Sequence, residues 1–171
     1  MLSLLPLLLS AATLSAPAPA RTAHALLEAP DRHVRTLDKR VQRLLVTGVT
    51  RSPTFAALVA SLNASDVIVY IEPTQTLPTT LAGRLLLMPL SGQQRYLRVQ
   101  VGVTMNPDDM ISIIAHELRH AIEVADAPDV RNETGLVKLY ERIGRRSGVP
   151  HCYETDAAQD AARHVRRELV A

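Results

Sequence analysis

Residues 106–124, NPDDMISIIAHELRHAIEV, constrain this chain more than any other stretch. Asn106 is placed to cap free main-chain amides, Pro107 presets φ for a first turn, and Asp108 and Asp109 face the positive end of a helix dipole. Met110, Ile111, Ile114, Leu118, Ala121, Ile122 and Ala125 then recur on one side, so the helix must bury a continuous stripe. The fold therefore has to be built around an internal helix whose opposite side is free for other work.

That other side carries His116-Glu117-Leu118-Arg119-His120, the pattern H-E-x-x-H. Four residues turn a helix by about 400°, so the two imidazoles project within about 40° of each other, one turn apart, where two nitrogens can bind one metal ion. Glu117 projects about 100° from His116, beside such an ion and not among its ligands, where it can take a proton from a metal-activated water. At this chain's own His and Glu frequencies, chance yields the pattern in roughly 1% of sequences.

The remaining elements read as α+β. Leu37, Val41, Leu44 and Leu45 fall at helical spacing, and Pro53 opens a second apolar helix over 54–62. Val67 to Ile71 is a β-branched run, and Leu81 to Leu90 and Tyr96 to Val103 flank the turn-like Ser91-Gly92-Gln93-Gln94, predicting three strands with the last two a hairpin. The expected fold is a small, mostly antiparallel sheet of three or more strands packed against the H-E-x-x-H helix and a C-terminal helix. Asp126-Ala127-Pro128-Asp129 ends the central helix and starts another, with Val130, Val137, Tyr140 and Ile143 as its apolar positions. A final helix is predicted over 153–170.

Composition narrows the function. The net charge of +2 gives no field to hold a polyanion, so nucleic acid is not an expected partner. Aromatics are 3% with no Trp, which leaves no stacking platform for sugars or bases. A single cysteine, Cys152, can form neither an internal bridge nor a cysteine-rich metal site. Residues 1–20 are uncharged and apolar and end in Ala18-Pro19-Ala20, the pattern of a signal peptide cleaved after Ala20. Residues 21–171 then form one secreted or periplasmic domain with no stable membrane insertion.

On these residues the chain resembles the zincin metallopeptidases, over roughly residues 95 to 160. The resemblance implies one Zn²⁺, a catalytic glutamate at Glu117, a peptide or protein substrate, and a sheet whose edge strand aligns that substrate. The metzincin branch places a glycine three residues after the second histidine and a His or Asp three further on; those places hold Glu123, which does not easily make a glycine turn, and Asp126. Gluzincins take a glutamate from a later helix, and Tyr153-Glu154-Thr155-Asp156-Ala157-Ala158 resembles that segment. Glu154 also shares a helical face with Ala158, Ala161, Val165 and Leu169, which directs its carboxylate inward, where it needs a partner.

Glu154 is thus the expected third ligand beside His116 and His120, with Glu123, Asp126 and His151 as alternatives. Glu123 suits a role orienting His120 through its other ring nitrogen, and Asp156 could act similarly or simply begin a helix. Tyr153, His151 and Tyr140 are candidate donors to a developing oxyanion. A di-iron site is excluded, because it needs E-x-x-H twice on a helical bundle. Two functions remain: a zinc peptidase in which Glu117 is general base, or a non-catalytic zinc-binding or interaction module with a closed structural metal site.

Overall fold

The computed structural model describes residues 18–89, 94–146 and 153–171. The predicted signal peptide up to residue 17, the turn at Ser91 to Gln93, and His151 and Cys152 lie outside the described residues.

Helix α1 (Ala18–Leu27) leads to a two-residue strand β1 (Val34–Arg35), followed by α2 (Lys39–Arg51) and α3 (Pro53–Asn63). Asp38 caps α2 by accepting from Val41 N at 2.8 Å, and Ser52 caps α3 by accepting from Phe55 N at 3.0 Å. Leu37, expected on the apolar side of α2, precedes the cap and is 97% exposed. Val41, Leu44, Leu45 and Val49 supply the buried side.

Strands β2 (Val67–Thr74), β3 (Gly83–Leu87) and β4 (Arg95–Gly102) join β1 in one four-stranded sheet of order β1-β2-β4-β3. The β3–β4 hairpin is present, but the sheet is mixed and not mostly antiparallel: β1–β2 and β2–β4 are parallel. Two reversals along β2, β3 and β4 restore the chain direction, and β4 inserts between β2 and β3 instead of continuing a meander. Strand β3 is left as an edge. Val67, Val69, Ile71, Leu97, Val99 and Val101 form the buried face, onto which the helices pack. Tyr70, Glu72, Arg98 and Gln100 alternate onto the other face.

The central helix α4 (Pro107–Ala125) contacts β2, β3, β4, α2, α3 and α6. Asn106 caps its start by accepting from Asp109 N at 2.9 Å. Its far end is held by Arg95, which is 0% exposed. Arg95 Nη1 donates to the carbonyls of Val124 and Ala127 at 2.6 and 2.8 Å, while Nε and Nη2 grip the two oxygens of Asp66 at 2.9 and 2.6 Å. One guanidinium thereby adds buried donors to carbonyls at the helix end that also accept from the amides of Ala127 and Val130, at 3.1 and 3.0 Å. Its hydrogen bond lowers the pKa of Asp66, against the opposing effect of burial.

Helix α5 (Glu133–Ile143) starts later than the sequence suggests, capped by Asn132, which accepts from Gly135 N at 2.9 Å. Val130 is buried in the preceding loop, Ile143 is exposed, and Leu139 and Tyr140 are the inward residues. The last helix, α6 (Asp156–Val170), is also shorter than predicted: Tyr153–Glu154 form β6, paired antiparallel with β5 (Arg145–Arg146). Ala158, Ala161, Val165 and Leu169 face inward as expected. Near its end Glu168 accepts from the amide and hydroxyl of Thr54 at 3.1 and 2.7 Å and from Ser52, tying α6 to the start of α3.

Candidate metal centre

Helix α4 sets His116 and His120 one turn apart with their Nε2 atoms separated by 3.1 Å. The rings meet edge-on, 4.7 Å between centroids. His120 is buried and its Nδ1 is 2.8 Å from Glu123 Oε2. With the Nδ1 proton donated to that carboxylate, the Nε2 lone pair is left facing His116. Glu154 arrives from β6 and brings Oε2 to 3.4 Å from His116 Nε2. One ligand atom from each of His116, His120 and Glu154 lies within 4.8 Å of the others.

These separations can be compared with what a metal needs. Ligands about 2.0–2.1 Å from a tetrahedral zinc are separated by about 3.3 Å. Two of the three donor separations, 3.1 and 3.4 Å, bracket that edge, and the third is within 4.8 Å. Two imidazoles and a carboxylate are also a donor set suited to zinc. Glu154 reaches the pair from strand β6 and not from the helical face the sequence suggested.

Glu117 is buried and lies in the floor of a cavity of about 450 Å³ together with His116, His120 and Glu154. Desolvation pushes its pKa up to about 7. Burial and the neighbouring His120 lower the pKa of His116. For His120 burial acts the same way, but the hydrogen bond to Glu123 and the charges of Glu117, Glu123 and Glu154 outweigh it and raise the value. Burial would raise Glu123 too; hydrogen bonds from His120 and Thr155 prevail and lower it.

The other candidates divide between the surface and the same cavity. Asp126 is exposed at the end of α4, and Asp156 pairs with Arg145 at 2.7 Å in the first turn of α6. Tyr140 donates its hydroxyl to the His120 carbonyl at 3.2 Å, and burial holds its pKa well above the ordinary value. Tyr153 stacks on Tyr140 with centroids 5.9 Å apart, and both line the cavity.

Three residues escaped the sequence. Gly83, on β3, lies so close to α4 that an added Cβ would fall 2.8 Å from Glu117 Oε1. Its one signal was a glycine at the start of an apolar run. Thr155 donates to Glu123 Oε1 at 2.7 Å, and Arg95 anchors α4; neither stands in a pattern that spacing could reveal. No protein-family model, curated protein or solved structure matches the chain.

Proposed function

We propose that this protein is a zinc-dependent peptidase, gluzincin-like in its ligand set, with His116, His120 and Glu154 as ligands of one Zn²⁺ and Glu117 as general base. The observation that carries this is the convergence of Glu154, from a separate segment, onto two imidazoles, with two of the three donor separations close to the edge of a tetrahedral site. A zinc ion held there would supply Lewis acidity, polarising a water molecule and the substrate carbonyl. Glu117, with a pKa near 7 before any ion binds, is suited to take a proton from the water and hand it to the departing amine.

The surroundings suit a peptide. Strand β3 runs along the cavity and, among the described residues, pairs only with β4, so its outer edge can add an extended strand. Leu85 and Leu87 on β3 and Leu136 and Val137 on α5 give the cavity an aliphatic wall that favours an apolar side chain next to the scissile bond. Export through a leader ending at Ala20 belongs to the same proposal, placing the enzyme in the periplasm or outside the cell. A closed structural site would need a fourth protein ligand; among the described residues the cluster has three, and Glu123 is engaged on the far side of the His120 ring.

The test is Glu117→Gln. The variant should take up one zinc per chain like the parent and lose about 10²–10⁴-fold in turnover of an aliphatic peptide substrate. Undiminished turnover, or a parent protein that takes up no zinc, would overturn the proposal.

A further inference from the structure

Thr155 is 4% exposed and follows Glu154 directly in the chain. Its hydroxyl joins two elements at once. It accepts from Ala158 N at 3.1 Å, closing the first turn of α6, and donates to Glu123 Oε1 at 2.7 Å on α4. A hydroxyl has one proton to give and lone pairs to receive, so the two roles do not compete.

Glu123 uses its second oxygen on His120 Nδ1 at 2.8 Å. A relay therefore runs from Thr155 through Glu123 to an imidazole of the candidate centre. Arg119 Nε lies 3.9 Å from Glu123 Oε1, too far for a hydrogen bond, so Thr155 is the close donor that fixes that oxygen. Because the main chain of Thr155 continues from Glu154, the same contact that orients His120 also pins the segment presenting the third carboxylate.

We infer that Thr155 is a positioning residue that couples Glu154 to the His116–His120 pair, so that metal affinity depends on its hydroxyl proton. This inference rests on the zinc-site proposal. It adds that affinity is set by a residue that cannot itself touch the ion, acting through Glu123. Groups that orient a metal-binding histidine change affinity by about 10–100-fold when removed.

The helix-capping role and the donor role can be separated chemically. Aspartate caps a helix as well as threonine does but, when ionised, sets a second carboxylate against Glu123 in place of a donor, whereas serine keeps both functions. Zinc affinity would be measured by competition with a chromophoric chelator for the full chain and its Thr155→Ser and Thr155→Asp variants, with thermal unfolding in EDTA as the measure of fold. Thr155→Ser should bind as the parent does, and Thr155→Asp should bind about 10–100-fold more weakly.

Should the charge of Thr155→Asp harm folding, Thr155→Ala, Glu123→Ala and the double variant form a cycle. Action through Glu123 predicts that the double variant binds zinc no more weakly than Glu123→Ala alone. Parent-like affinity in Thr155→Asp or Thr155→Ala, or additive losses in the cycle, would overturn the inference while leaving the zinc site standing. A parent protein that binds no zinc would remove both.

Discussion

Gly83→Ala should separate catalysis from metal binding. A Cβ at position 83 would lie 2.7 Å from Ile113 Cγ2, 2.8 Å from Glu117 Oε1 and 3.2 Å from Glu117 Cγ. Carbon contacts settle at about 3.5–4.0 Å, so Ile113 must recede by about 1 Å and Glu117 by about 0.5 Å. Ile113 is held in α4, but the Glu117 carboxylate ends a flexible side chain and gives way more easily. The overpacking costs about 1–3 kcal/mol of stability, while a displacement approaching 1 Å at a reacting group costs up to about 10²-fold in rate. The expected result is kcat/KM reduced by about 10–100-fold with zinc affinity within about twofold of the parent, since the three atoms nearest the added methyl belong to Ile113 and Glu117. Peptide turnover, chelator competition and thermal unfolding on one preparation would measure all three. Parent-like turnover in a folded Gly83→Ala protein would refute the argument that the bare strand positions Glu117.

Other outcomes follow from the same geometry. Glu123→Gln weakens the acceptor for His120 Nδ1 and should lower zinc affinity by about tenfold or more, read by chelator competition. Leu136→Asp puts a charge in the aliphatic wall and should reduce turnover of peptides with Leu beside the scissile bond more than of those with Arg there; equal losses on both would count against the apolar subsite. Arg95→Met should lower the unfolding free energy by about 3 kcal/mol in urea melts, because several main-chain acceptors lose a buried donor together. The pKa of Asp66 is held below its ordinary 3.8 in the fold, so its pairing with Arg95 stabilises at higher pH and is lost as pH falls through the depressed value. Arg95→Met should therefore flatten the acid limb of the stability profile, and an unchanged acid limb would show that the pair carries no such linkage.

The α4 helix was legible because every local signal agreed: a cap, a first-turn proline and an apolar stripe, with the histidine spacing on the same period. The hairpin was legible for a similar reason, since two apolar runs flanked a turn. Parallel pairing of β2 with β4 was not, because periodicity marks strands without saying which neighbours they take. Glu154 was singled out from its segment, but periodicity started the last helix three residues too early; Thr155 is a cap, and a cap ends the helical arc that the wheel assumed. Leu37 failed likewise, matching the stripe while lying on the wrong side of Asp38. Arg95 gave no signal and Gly83 only that of a glycine in an apolar run, since their roles exist only when distant segments meet.

The contact between α4 and the segment from β6 into α6 also has a consequence for biosynthesis. His116 and His120 leave the ribosome well before Glu154, Thr155 and the Ala158–Leu169 face that packs on α4. A nascent chain can thus display a histidine pair but not the third carboxylate or its supporting cap. If the proposed zinc chemistry holds, hydrolytic competence would arise only after translation has passed α6.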